Sequence, residues 1–246
     1  MNTQTAESIL AKNTRAYQKI QAHFSQTRYK PWPEFALFKK YLHPGMSVLD
    51  AGSGNGRLFP EIQDLGIHYT AIDNNASFIE HARARFEHHP SRPVFMVADL
   101  RSLPLPDASF DVVFCIAALY HIPSKAFREQ AVSEMARVLK PNGVTIMLNW
   151  NLWQSRFWKY HLRAIPQLLK RELDIGDCWI PWKNPQGVVQ SERFGHAFTK
   201  REMRKLFDQA HLTVTTLEFT HHRKGSGGMT ANNLLSIAQK NAPPSS

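Results

Sequence analysis

Cysteine is scarce in this 246-residue chain, and the two present, Cys115 and Cys178, lie far apart with no C-x-x-C or Cys/His zinc spacing. That pattern argues against a disulfide scaffold or a structural metal and fits a reducing compartment. Long apolar runs are missing too. The longest, VVFCIAALY, is too short to cross a bilayer, and the opening MNTQTAESILAKNTRAYQKIQ lacks the apolar segment of a secretion signal. The expectation is a soluble cytoplasmic protein with no membrane association. No repeat or low-complexity tract breaks the chain, and only residues 241–246 read as a loose tail. Acidic residues are also few: 20 Asp+Glu against 30 Lys+Arg leave a net charge of +10. Such a field raises the encounter rate with phosphates, so a polyanionic partner fits, though charge alone does not name one.

What is present is alternation. SVLDAG, HYTAID, VFMVAD, FDVVFCIAA and GVTIMLNW read as strands, separated by helical patterns such as SFIEHARARFEHH and KAFREQAVSEMARVLKPNG. This rhythm predicts a parallel sheet with helices on both faces. The second of those helices carries Phe127, Ala131, Met135 and Val138 at core-facing spacing and meets a stop signal at Pro141-Asn142-Gly143. Ahead of the first strand, Ile9, Tyr17, Ile20 and Phe24 share a helical face, and a short helix near Pro33 turns Phe35, Phe38 and Leu42 inward. Between them HFSQTRYKPWP (residues 23–33) is a stiff extended strap, because each proline fixes its own φ and restricts its predecessor. After Trp150 the rhythm stops for about fifty residues, until Thr199 and Glu202 form a capping box. A segment that long is more often a functional cap than a structureless loop. The chain closes with LTVTTLEFT and NNLLSIAQ, an antiparallel pair joined across HHRKGSGGMTA. The expected organisation is one α/β domain over residues 1–240: N-terminal helices and strap (1–44), ligand-binding core (45–150), helical insertion (151–198), and closing helix and strands (199–240).

VLDAGSGNGRL carries Asp50, Gly52, Gly54 and Gly56 as D-x-G-x-G-x-G directly after a strand. Glycines there let the main chain turn tightly and approach a ligand. Asp73, with Asn74 beside it, ends the second strand at the distance where a carboxylate takes ribose hydroxyls. Asp99, followed by Leu100, ends the third, where it can accept from an adenine amino group. The plain rival is that both aspartates merely cap following helices.

These residues resemble the class I S-adenosylmethionine (SAM) methyltransferases over roughly residues 45–150. The resemblance implies a Rossmann-like seven-stranded, mostly parallel sheet with its last strand antiparallel. It also implies Asp50 and the glycines near the methionine end of SAM, Asp73 on the ribose, Asp99 and Leu100 at the adenine, and S-adenosylhomocysteine as product. HFSQTRYKPWP is further similar to the segment preceding the glycine motif in the tRNA wobble-uridine carboxymethyl methyltransferases. WIPWK (179–183) looks like that family's V-P-W-K element, ERFGHAFTKREMRKLF (192–207) like its R-Y-x-H-x-F segment, and NNLLSIAQK fits its closing strand. Two departures fall near the expected acceptor pocket: Tyr120-His121 stands where the family often has paired histidines, and RF-GH replaces an aromatic pair. Eukaryotic members of the family work with a small zinc-binding activator subunit, which becomes a possible partner alongside a tRNA anticodon loop.

A carboxylate acceptor is already ionised at neutral pH, so its methylation needs placement rather than a general base. Arg28 and Arg193 are the cations expected to hold the substrate carboxylate or that of SAM, since a guanidinium grips either bidentately. His121 is expected to donate to the acceptor or stack on the base, with Tyr29, Trp32, Tyr120, Trp150 and Trp182 as pocket walls. WQSRFWKYHLRAIPQLLKR (153–171) interleaves cations with aromatics, and its Arg156, Lys159 and Arg163 are expected on RNA phosphates. Each has a plain rival: Arg28 braces a helix, the tryptophans are core, and the insertion is a lid helix with a solvated basic face. His88-His89 and His221-His222 lack metal-ligand spacing, so no metal is expected. Two other functions stay open, a small-molecule O- or N-methyltransferase and a non-catalytic SAM- or RNA-binding subunit.

Overall fold

The computed structural model describes residues 1–27, 32–220 and 232–242. In chain order the elements are α1 (Thr3–Thr27), α2 (Phe35–Phe38), β1 (Ser47–Ala51), α3 (Phe59–Ile62), β2 (His68–Asp73), α4 (Ala76–Phe86), β3 (Val94–Val97), β4 (Phe110–Ile116), α5 (Lys125–Val138), β5 (Leu139–Trp150), α6 (Trp158–Leu169), β6 (Asp177–Lys183), β7 (Val189–His196), α7 (Lys200–Gln209), β8 (Leu212–Thr220) and β9 (Asn233–Lys240).

Seven strands form one sheet in the order β3-β2-β1-β4-β5-β9-β8. The pairs from β3 through to β5 are parallel, and β9 runs antiparallel to both β5 and β8. The strand order therefore reverses direction between β1 and β4, and in open α/β sheets ligands bind beyond the carboxyl ends of strands at such a switch point. Two apolar layers cover the sheet. On one face Phe127, Ala131, Met135 and Val138 of α5 pack with Leu206 and Phe207 of α7. On the other, Phe35, Phe38 and Leu42 pack against Phe59, Ile62 and Ile79. Both sets are buried at the periodicity that the sequence carries. Ile9 and Ile20 of α1 are buried as well, and the side chain of Phe24 lies outside the described ones.

Three expectations require correction. Residues 23–27, expected at the start of the extended strap, are the end of α1, because a proline restricts only itself and the residue before it and Pro31 is too far along to break the helix there. Helix α5 ends at Val138, short of Pro141-Asn142-Gly143, because Leu139 already pairs with Phe110 of β4. The insertion is not helical throughout. Its second half is an antiparallel hairpin in which WIPWK (β6) lies against ERFGH (β7), with Ile180 opposite Arg193. Pro181 is tolerated there because a two-stranded ribbon is all edge.

Candidate active site

At the carboxyl end of β1 the chain must turn without a side chain. Gly52 has φ +83°, and a Cβ there would stand 2.3 Å from Ala118 Cβ. The main-chain N–H groups of Gly52 and Ser53 donate back to Ile72 of β2 at 2.8 and 2.9 Å. Asp73, the last residue of β2, holds the turn from the other side. Its Oδ2 accepts from Gly54 N–H and its Oδ1 from Asn75 N–H, both at 2.9 Å. Burial raises the Asp73 pKa, while these two donors oppose the rise. The cap of α4 is Asn75, which accepts from Ser77 N–H, and no helix follows Asp99 directly. Neither aspartate is a helix cap. Each oxygen of Asp73 keeps a second lone pair for a ligand hydroxyl.

A cavity opens above this turn, lined by Gly52, Gly54, Asp73, Asn74, Asp99, Leu100 and His121, with Tyr17 of α1 among its further walls. Asp99 is held by Arg101, whose guanidinium also reaches Glu7 of α1 at 2.7 Å. Burial works against ionisation of Asp99, yet these bonds bring its pKa below the ordinary value. Asp50 and Gly56 do not reach the lining. Asp50 is 2% exposed and accepts from the Tyr69 hydroxyl at 2.6 Å, and burial pushes its pKa up to about 7. A Cβ on Gly56 would meet Phe95 and Phe86 at 3.1 and 3.3 Å, so that glycine serves packing beneath the loop. The residues at the lining suit SAM: glycines where the chain must come close, an acidic residue at each of two adjacent strand ends, and an apolar floor from Leu100, Ile116 and Ile122.

A second cavity adjoins the first and shares Tyr17, Arg57 and Ala117 with it. Trp32, Tyr120, Trp150, Arg156, Lys159 and Arg193 line it. Arg193, from β7, is 4% exposed. Its guanidinium carbon sits 4.8 Å from the centroid of Trp182, 5.6 Å from Trp150 and 5.7 Å from Tyr17. Arg193 Nε is buried with no hydrogen-bond partner, and among the described residues no carboxylate pairs with this cation. A buried charge left so is costly unless an anion arrives.

The two cavities are joined by a hydrogen-bond chain. Arg193 Nη1 donates to the Tyr17 hydroxyl (3.3 Å), which lies 2.6 Å from His121 Nε2, while His121 Nδ1 lies 2.6 Å from the Phe194 carbonyl. A carbonyl only accepts, so Nδ1 carries the proton and Nε2 accepts from Tyr17. Burial, helped by the charge of Arg193, lowers the His121 pKa to about 3. His121 is therefore a neutral imidazole with both nitrogens engaged. The expectation that it donates to an acceptor is corrected: its one N–H, on Nδ1, is given to the Phe194 carbonyl.

Trp182 stands behind Arg193 rather than in the lining, and its indole N–H donates to His23 Nδ1 at 2.9 Å. Arg163 is on the outer surface, away from both cavities. Arg28 and Tyr29 lie outside the described residues. Sequence reasoning missed Arg57, although it directly follows the glycine motif and lines both cavities. It also assigned Tyr17 to the core face of a helix, and missed Asn232 and Asn233 at the rim of the second cavity; no local signal distinguished these three.

Residues 49–147 match a family model described as a methyltransferase domain. A mouse protein named tRNA (carboxymethyluridine(34)-5-O)-methyltransferase ALKBH8 is 31% identical over 142 residues, which is 57% of this chain and 20% of the mouse protein. The chain thus spans a fifth of that relative's length. The Schizosaccharomyces pombe tRNA (carboxymethyluridine(34)-5-O)-methyltransferase is 28% identical over 205 residues, covering 80% of this chain and 86% of the yeast protein. Among solved structures, a SAM-dependent methyltransferase from Methanosarcina mazei superposes with a TM-score of 0.72 at 23% identity, over 87% of this chain and all of the other.

Proposed function

We propose that the chain is a SAM-dependent methyltransferase that esterifies the carboxylate of a carboxymethylated wobble uridine in tRNA. The observation that carries this reading is Arg193, a buried guanidinium with no acidic partner among the described residues, in a cavity that shares a wall with the cofactor cavity. When bound, SAM supplies an electrophilic methyl group, which a carboxylate oxygen takes while the electron pair of the C–S bond stays on sulfur.

In this reading Asp73 takes the ribose hydroxyls and Asp99 with Leu100 the adenine. No residue has to remove a proton, because the acceptor is already a carboxylate. Consistent with that, the histidine beside the cavity is spent on Tyr17 and on a backbone carbonyl. Arg193 orients the carboxylate. Its charge is spread against three aromatic faces, which favours placing the anion over neutralising it tightly. Trp32, Tyr120 and Trp150 wall the base; the last two stack with centroids 5.8 Å apart. Arg156 and Lys159, at the cavity rim, take flanking phosphates. Arg28 and Tyr29, which lie outside the described residues, belong to the same proposal as contacts to the acceptor.

A small activator subunit would find its dock on the edge strand β3, where Val94 and Val97 are about half exposed. No helix among the described residues is long and apolar enough to cross a membrane, and a cytoplasmic location follows from the tRNA substrate rather than from the fold.

The test uses methyl-labelled SAM and tRNA bearing carboxymethyluridine, digested to nucleosides after reaction. The expected product is a labelled uridine that releases its label as methanol in mild alkali. Alkali-stable label, or label found only in small metabolites with tRNA ignored, would overturn the proposal.

A further inference from the structure

The two cavities account for the start and the inner side of α6 and leave its outer side unexplained. Trp158, Leu162, Ile165 and Leu169 recur at intervals of four, three and four residues, so at about 100° per residue they fall within about 60° of arc. They are 57, 64, 44 and 79% exposed, whereas Ala164 on the opposite side is buried. A surface helix ordinarily turns such a stripe toward the core. Here it faces solvent, and Ile175, 78% exposed in the turn that follows, extends it.

Charge identifies the occupant. Between Trp153 and Arg171 there are five cations, Arg156, Lys159, Arg163, Lys170 and Arg171, and no Asp or Glu. Arg156 and Lys159 line the acceptor cavity, but Arg163, Lys170 and Arg171 do not and are exposed. Arg163 and Lys170 fall on one side of the helix, about 130° and 110° round from the centre of the stripe. A second copy of the chain would bring two acid-free basic segments together. A stripe on one twelve-residue helix is also well short of the roughly 20–30 residues a side of a stable protein interface. RNA would engage the cations, but within the stripe Trp158 alone offers bases an aromatic face for stacking. A bilayer needs neither a large area nor a shaped partner. Apolar side chains enter the headgroup–acyl boundary, and neighbouring cations add attraction to anionic lipid.

We propose that α6 is a peripheral membrane-docking helix that lays the Trp158–Leu162–Ile165–Leu169 stripe into an anionic bilayer surface, with Arg163, Lys170 and Arg171 on the headgroup phosphates. This surface is distinct from both cavities, so the proposal stands whether or not the acceptor is a carboxymethyluridine.

The test is co-sedimentation of the full chain with large vesicles of phosphatidylcholine, with or without roughly one third phosphatidylglycerol, at physiological salt. Binding to the anionic vesicles is expected, at least about tenfold tighter than to phosphatidylcholine alone. The double variant Leu162→Glu/Leu169→Glu should lose about tenfold or more in affinity while keeping the parent's circular dichroism and its thermal shift with SAM. A parent chain that stays in the supernatant would overturn the proposal, as would a variant that pellets like the parent, since adsorption would then rest on charge alone. A dimer seen by sedimentation velocity in the parent and lost in the variant, without vesicle binding, would assign the stripe to a second copy. A tenfold loss of tRNA affinity in the variant would assign it to the RNA path.

Discussion

In the cofactor cavity the carboxylates of Asp73 and Asp99 are already held, one by two main-chain N–H groups and the other by Arg101. In the acceptor cavity Arg193 is buried against rings with one hydrogen bond to a tyrosine hydroxyl. The acids of the first site are positioned by the protein itself, and Asp73 keeps a lone pair to spare on each oxygen. The second stores an unmet demand for negative charge. The two should therefore respond differently to loss of a charge: the cofactor site loses a positioning group, and the acceptor site loses the reason an anion is drawn in.

The largest effect is expected at Arg193. Arg193→Met should lower kcat/KM for tRNA on the order of 10²–10³-fold, the usual consequence of removing one partner of a desolvated ion contact, while the SAM Kd stays within a few-fold. Steady-state kinetics beside calorimetric titration measure both. Equal losses in the two would erase the distinction between the cavities and move Arg193 to the carboxylate of SAM. Asp73→Ala should do the converse at smaller size. It leaves Gly54 and Asn75 N–H without their acceptor and should weaken SAM about 10–100-fold. SAM should raise the parent's Tm through binding linkage and NAD should not; a full SAM-induced shift in Asp73→Ala would place the cofactor elsewhere.

The smallest effect concerns pH. His196 Nδ1 lies 2.6 Å from Asp177 and Nε2 2.9 Å from Glu202, with Arg128 also on Glu202. Burial opposes the charge, but two carboxylate partners outweigh it and raise the His196 pKa above 6.5. A raised pKa means that the stabilisation is fully present below the unfolded value near 6.5 and is lost as pH rises through the folded value. The Tm should fall as pH rises above 6.5, and His196→Gln should flatten that decline. His121 acts in the opposite direction. Its depressed pKa gives stabilisation present above about 6.5 and lost as pH falls toward about 3. Since His196 ties the hairpin to α7, tRNA turnover should decline at alkaline pH before SAM affinity does.

The cofactor half was legible because its geometry is local. A strand period followed by glycines, and aspartates at the ends of β2 and β3, set the lining of a parallel sheet with little help from elsewhere. Asp50 carried the motif but not the position, because a parallel neighbour supplies Tyr69 and turns the carboxylate inward. The acceptor half draws Tyr17, Trp32, Trp150, Arg193 and Asn232 from five separated stretches. No periodicity links them, so Arg193 was visible only through family resemblance and Tyr17 only as an apolar-face residue. The hairpin escaped notice because Pro181 in β6 reads as a breaker.

Helix α1 crosses both cavities, and Tyr17 is where they meet. In the proposed reading a ligand on the cofactor side would touch a ring whose hydroxyl is also the contact of Arg193, which would make the binding of one substrate depend on the other. That dependence is reciprocal by thermodynamic necessity: whatever factor SAM applies to tRNA affinity, tRNA applies to SAM. Methyl transfer, if it proceeds as proposed, would change the occupants of both cavities at once, and the shared Tyr17 would then link the release of one product to that of the other.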